Sequence, residues 1–355
     1  RESEQLYNYI DKIIKNGIYS YDTETTGLDK MKDEVVGFSL YTPGEKACYV
    51  PLRHTDLFNN RVEGQVEVDE AITALKKITD INCIFHTADF DLRVSYYSLI
   101  EELLEPYWDV RIAAKLLNEN DSAKLKYLYN TYINEDDDAG SYNQLFEGLP
   151  FNYVPIEIGY VYGAKDAEIT FELYEFQKEF LLGEKAEKAD LADAGELMLN
   201  IETPLIKVIA QMENYGVKID QEYAEELRQK YQDKLDAVQE KINSYIEELD
   251  FSNVSNTKKR KLDDPVNMCS PTQVAIILYD VMQLKKVNGR GTGEPVLNKL
   301  SDQTTGKQQQ LLEYILEYRG ISKLLSTYIE AIPEKVNDKT GRLHFDINQY
   351  GAKTG

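Results

Sequence analysis

The chain has 355 residues and a formal net charge of −22, from 40 Lys and Arg against 62 Asp and Glu. The length exceeds what one ordinary core holds, so more than one domain is expected. The charge argues against a uniformly basic nucleic-acid coat, and the absence of any apolar run of membrane-spanning length argues against a membrane protein.

Three cysteines, Cys48, Cys83 and Cys269, share no metal-type spacing and suit a reducing compartment. No signal-peptide pattern opens the sequence, so a cytoplasmic protein is expected. The first residues, Arg1-Glu2-Ser3, include no Met and read as the start of a piece of a longer protein. The acidity is uneven. Residues 1–190 hold 19 Lys and Arg against 37 Asp and Glu, while the remainder holds 21 against 25. The second part therefore leaves room for a basic contact surface, because phosphate binding follows local charge.

In chain order, residues 18–22, 34–42, 46–52 and 81–86 read as strands, and Val68 to Ile78 as a helix with Ile72, Leu75 and Ile78 on one side. The first strand runs into Asp22-Thr23-Glu24-Thr25-Thr26-Gly27-Leu28. Alternation along a strand puts Asp22 and Glu24 on one face, under about 8 Å apart. A lone Asp-x-Glu is ordinarily a solvated strand end. Here apolar neighbours bury the strand, and two carboxylates on one buried face call for a cation; hard Mg²⁺ takes such oxygen ligands.

After the strand Ile81–His86, Thr87 reads as an N-cap and a helix runs to Ile100. Its first turn carries Asp89 and Asp91. Phe90 and Leu92 read as core anchors, and Asp91 is preferred to Asp89 as the inward acid. Helices follow at 109–118 and 123–132. The run Glu135-Asp136-Asp137-Asp138-Ala139-Gly140-Ser141 reads as a solvated acidic loop, since adjacent carboxylates cannot all converge. In Tyr160 to Leu173, Tyr162 and Asp166 are four residues apart and share a helix face.

Glu196 to Tyr215 reads as an amphipathic helix with Leu197, Ile201, Leu205, Val208, Ile209 and Met212 as its apolar positions, closed by Gly216 as a C′ glycine. A second long helix, from about Gln221 to Leu249, reads as part of an arm without a compact core. Beyond it, Lys258-Lys259-Arg260-Lys261 reads either as a mobile basic loop or as a phosphate clamp. Lys285, Lys286 and Arg290 make a second basic patch among glycines.

Asp22, Glu24, Asp91 and Asp166, with Tyr162, resemble the three-motif site of DEDD-type 3′→5′ exonucleases of the tyrosine subclass. That resemblance spans about residues 15–182. It implies an α/β fold: a ribonuclease H-like mixed β-sheet flanked by helices. It also implies phosphodiester hydrolysis with two Mg²⁺ or Mn²⁺ ions. In that scheme Asp22 bridges the ions, Glu24 and Asp166 complete the first site, Asp91 holds the second through water, and Tyr162 orients the attacking water. One position departs: the family places Asn four residues before its second-motif Asp, where this chain has Thr87. Thr87 offers different donors to a substrate strand.

The later segments Asn200-Ile201-Glu202-Thr203-Pro204-Leu205, Met212 to Val217, Cys269 to Val274 and above all Ile315 to Tyr328 resemble the opening of the polymerase region of family A DNA polymerases. The resemblance implies an exonuclease domain at 1–190, a mainly helical thumb at 191–335 and the first palm strands at 336–355. It implies DNA contacts from Lys258, Lys259, Arg260, Lys261, Arg319 and Lys323. The three catalytic polymerase motifs would lie beyond Gly355, so nucleotide incorporation is not expected of these residues alone. The expectation is thus the proofreading part of a DNA polymerase I-like enzyme. It would be a monomer acting on a single-stranded 3′ end and holding primer–template duplex. A free-standing ribonuclease D-like exoribonuclease is the alternative, and a duplex-holding module with a degenerate nuclease site is a third possibility.

Overall fold

A computed structural model describes residues 2–134, 146–189 and 191–351. The acidic loop at 135–141 lies outside them, as do the last four residues of the expected palm segment. The chain forms two compact units. One runs to Tyr215 and resumes at Asp346; the other is Gly216–Phe345. The expected boundaries at 190 and 335 differ from these. The helix Thr203–Tyr215 packs on the strand Pro106–Asp109 and so falls in the first unit.

The first unit is built on a five-stranded sheet: β1 Ile18–Thr25, β2 Val35–Tyr41, β3 Cys48–Pro51, β4 Asn82–Phe85 and β5 Pro106–Asp109, in the order β3-β2-β1-β4-β5. β2 pairs antiparallel with β1 and β3, while β1, β4 and β5 run parallel. Helices α1 Glu2–Asn16, α2 Val68–Leu75, α3 Ala88–Ser95, α4 Val110–Leu117, α5 Leu125–Tyr132, α6 Ile156–Leu181 and α7 Thr203–Tyr215 accompany it. This is the mixed sheet flanked by helices that the ribonuclease H-like resemblance implies. Neither α1 nor β5 is among the elements read from the sequence. α1 buries Leu6, Tyr9, Ile10 and Ile13, a helical stripe. β5 is only four residues long and begins with proline, so its strand signal is weak.

The parallel strands lead straight into helices, β4 into α3 and β5 into α4, so the helix N-termini gather at the carboxyl ends of the strands. Ligands of open α/β sheets bind at that end. Along β1 the side chains alternate. Tyr19 and Tyr21 are fully buried on one face, where the Tyr21 ring lies 5.6 Å from Phe38 and 6.1 Å from Phe85. Ser20 belongs to the other face, and its hydroxyl donates to the Ala167 carbonyl of α6 at 2.6 Å. Asp22 and Glu24, in register with Ser20, therefore turn toward α6. Gly163 lets α6 come this close: a Cβ there would sit 2.8 Å from Ser39 Oγ and 3.1 Å from the Tyr49 ring.

The apolar stripe read for residues 196–215 is corrected. α7 buries Thr203, Ile206, Ile209, Ala210 and Glu213, whereas Ile201, Val208 and Met212 are exposed. Glu213 shares that buried face, its carboxylate meeting Arg93, and apolar periodicity does not register a buried ion pair.

The second unit is mainly helical, with α8 Gln221–Glu247, α9 Glu294–Asp302 and α10 Lys307–Leu324. Asp220 caps α8, accepting from the Tyr223 amide at 3.0 Å. Gly216, at φ +65°, takes the left-handed conformation that ends α7. Ile242, Met268, Leu297, Leu312 and Ile315 are fully buried together. The arm without a core thus describes only the first half of α8: no side chain before Val238 is fully buried, while Val238 and Ile242 join the core. Val336–Asn337 and Arg342–Leu343 pair as a short antiparallel hairpin. Among the described residues, no helix is long and apolar enough to cross a membrane.

Candidate active site

Three of the sequence-selected acids come together. One ligand oxygen each from Asp22, Glu24 and Asp166 lies within 4.8 Å of the others. β1 supplies the first two from one face, and α6 supplies Asp166 from the helix that covers that face. Glu24 and Asp166 are buried and Asp22 is half-buried. Burial pushes all three carboxyls upward from their ordinary range, and for Asp22 and Glu24 the neighbouring carboxylates push further. Converging carboxylates of this kind are hard oxygen donors, the set that suits a divalent Mg²⁺ or Mn²⁺.

Asp91 is set apart from this trio. It lies buried in the first turn of α3, where its Oδ1 accepts from both the Thr23 amide at 3.1 Å and the Thr23 hydroxyl at 2.6 Å. Its pKa is pushed up to about 8, chiefly by burial, with the Thr23 hydrogen bonds opposing. Its charge also acts on Asp22. Asp89, the competing acid, turns away to pair with Lys30.

Tyr162 lies one helical turn before Asp166, in an aromatic wall with Phe146 and Phe151 at 5.4 and 6.2 Å between ring centroids. It lines the cleft together with Asp22, Glu24, Asp166, the Thr25–Leu28 turn and residues 148–151. A base not foreseen from the sequence completes the site. Lys126 of α5 forms an ion pair with Asp166, and its ammonium is 5.1 Å from the Tyr162 ring centroid. A lysine on a short polar helix carries no sequence signal for such a role.

Thr87 occupies the N-cap position of α3, but its side chain makes no capping bond. It adopts φ 76°, ψ 54°, the left-handed region, which is costly for a β-branched residue. The capping is done by Asp109 instead. One oxygen accepts from the Ala88 amide of α3 at 2.7 Å, and the other accepts from Arg111 and Ile112 of α4 at 2.8 and 3.2 Å. An Asp directly before an apolar helical run is an N-cap signal, so this role was legible for α4. The Thr87 hydroxyl accepts from Arg111 at 3.2 Å.

The residues expected to meet DNA in the second unit divide. Lys258 pairs with Asp280 at 2.8 Å, as does Arg290. Arg319 donates to the Met268 carbonyl at 2.7 Å and to the Thr292 carbonyl, tying two loops together. Lys259, Arg260, Lys261 and Lys323 are exposed.

Two sequence families match, "3'-5' exonuclease" over residues 1–180 and "DNA polymerase family A" over residues 221–355. DNA polymerase I of Pseudomonas aeruginosa is 28% identical over 367 residues, covering 98% of this chain and 36% of that protein. DNA polymerase I of Chloroflexus aurantiacus is 28% identical over 372 residues, covering 100% and 36%. The chain thus spans about a third of the length of these relatives. Among solved structures, the "POL domain of Pol1 from M. smegmatis complex with DNA primer-template and dNTP" superposes over 99% of this chain and 52% of that one. Its TM-score is 0.70 at 18% identity, a likeness of fold. The sheet, the converging acids and both family matches lead to one assignment: the chain belongs to the family A DNA polymerases, with their 3′-5′ exonuclease domain at residues 1–180.

Proposed function

We propose that the first unit hydrolyses 3′-terminal phosphodiesters of DNA, releasing nucleoside monophosphates, as the proofreading part of a family A polymerase. The observation that carries this reading is the convergence of Asp22, Glu24 and Asp166 in one cleft. In this reading those three carboxylates, with Asp91 behind Thr23, hold two divalent ions, Mg²⁺ or Mn²⁺. Ions held there lower the pKa of bound water and offset the charge that builds on the phosphate. Glu24 and Asp166 present their carboxylates from the largely buried floor of the cleft. The Tyr162 hydroxyl, one turn from Asp166, hydrogen-bonds the attacking water. The exposed bases Lys259, Arg260, Lys261 and Lys323 would meet the phosphates of duplex DNA. We place the activity on a cytoplasmic monomer.

The test is a labelled single-stranded DNA with Mg²⁺ or Mn²⁺, run beside an RNA of the same sequence. The expected result is stepwise shortening of the DNA from its 3′ end, and its loss by at least about a thousandfold when Asp22 and Glu24 are both replaced by alanine. Undiminished degradation by that folded double variant would refute the assignment, and preference for RNA would move it to the ribonuclease class.

A further inference from the structure

Lys126 is the unexplained member of the site. Its side chain is 17% exposed, and it reaches from α5 to Asp166 on the neighbouring helix. The Asp166 carboxylate it holds is one of the three whose oxygens converge within 4.8 Å. The same ammonium lies over the Tyr162 ring, so it contacts both α6 residues of the site. An ammonium on that carboxylate and a divalent ion among the same oxygens repel each other strongly at such range in a poorly solvated cleft. Lysine suits an exchangeable role: its charge is compact, its four-carbon stem is flexible, and it does not need the fixed fork of arginine.

We propose that Lys126 is a tethered counter-ion of the metal site, which holds Asp166 and Tyr162 in position at low metal and is displaced from Asp166 when a divalent ion binds. This rests on the reading of Asp22, Glu24 and Asp166 as metal ligands. Lys126 is then a positioning residue whose ion pair must be broken before the site is loaded. Its contribution is to weaken metal binding while preventing the cluster from splaying. A ligand that must break a preformed contact binds more weakly by the inverse of the fraction of molecules in which that contact is open.

The experiment is a calorimetric Mn²⁺ titration of the full chain and of Lys126→Met, which keeps the length of the stem. Lys165→Met serves as the comparison. Lys165 lies on α6 next to Asp166 and acts on it by charge, but its ion pair is with Glu168 at 3.4 Å. Lys126→Met is expected to bind Mn²⁺ roughly tenfold more tightly than the unaltered chain, with a lower melting temperature in EDTA that Mn²⁺ restores. Lys165→Met should change the affinity much less, and Lys126→Arg should return the weaker affinity. Equal tightening by Lys126→Met and Lys165→Met would overturn the proposal, since only general charge would be at work. Unchanged or weaker binding by Lys126→Met would overturn it as well. No Mn²⁺ binding by the unaltered chain would instead overturn the metal reading beneath it. If Lys126→Met does not fold, the unaltered chain decides the matter: its Lys126 ammonium, followed by nitrogen NMR, should shift in step with Mg²⁺ saturation. A resonance that ignores saturating Mg²⁺ would overturn the exchange.

Discussion

Among the described residues, two groups of three carboxylates stand in the first unit, and they are neutralised differently. Among the described residues, Lys126 alone forms an ion pair with Asp22, Glu24 or Asp166, while Lys165 acts on Asp166 from outside an ion pair. Asp89, Glu213 and Asp346 also bring three oxygens within 4.8 Å of one another. They surround Arg93, whose guanidinium meets Glu213 at 2.7 Å and Asp346 at 2.8 Å, while Lys30 pairs with Asp89 and Asp346. Glu213 is pushed up to about 7, by burial and then by Asp89, against the pull of Arg93. Two cations thus pair directly with these three carboxylates. Among the described residues, two cations pair with the second group and one, Lys126, with the first. Proximity of acids alone does not mark a metal site; an acid group left short of bases does.

The largest expected effect that could break this comparison concerns Arg93. Its side chain and that of Glu213 are almost wholly buried, so Arg93→Ala leaves an uncompensated charge and should cost about 3–5 kcal/mol of stability, read by urea denaturation. Saturating Mn²⁺ should not restore that loss as it does for Lys126→Met. Recovery by Mn²⁺ would make the second group a metal site too.

A smaller effect concerns pH. Glu213 and Asp91 have folded pKa values raised to about 7 and about 8. The folded chain therefore holds protons that the unfolded chain releases between roughly pH 4 and those values. Their contribution to stability is fullest at the acid end of that window and falls as pH rises through it. In EDTA the first unit should lose stability from pH 5 to pH 8, and Glu213→Gln should flatten the part below pH 7. An equally steep loss of stability with pH in Glu213→Gln and in the parent would contradict the assigned burial cost.

The smallest effect is at Thr87. Asparagine tolerates the left-handed region better than a β-branched residue, so Thr87→Asn should gain about 0.5–1 kcal/mol. A loss of stability would mean that the hydroxyl's bond from Arg111 outweighs the backbone strain.

Strand alternation alone was enough to put Asp22 and Glu24 on one face, and the four-residue spacing enough to pair Tyr162 with Asp166, because both periodicities are set by local backbone geometry. What escaped was non-local. Lys126 reaches its partner across forty residues of sequence, and nothing around it distinguishes it from a surface lysine. The buried face of α7 includes Glu213, whose salt link is to Arg93, 120 residues away. Arg319 looks like a phosphate contact in sequence, whereas its donors go to two backbone carbonyls whose positions only the folded second unit defines.

The central claim is that the under-neutralised carboxylates of the first unit hold divalent metal. Its most direct test is anomalous diffraction at the manganese edge from crystals of the chain grown with Mn²⁺. The account predicts manganese about 2 Å from carboxylate oxygens of Asp22, Glu24 and Asp166, with Lys126 withdrawn from Asp166 and nothing at Asp89, Glu213 and Asp346. Manganese at the second group, or a first group that still holds Lys126 and no metal at saturating Mn²⁺, would contradict it.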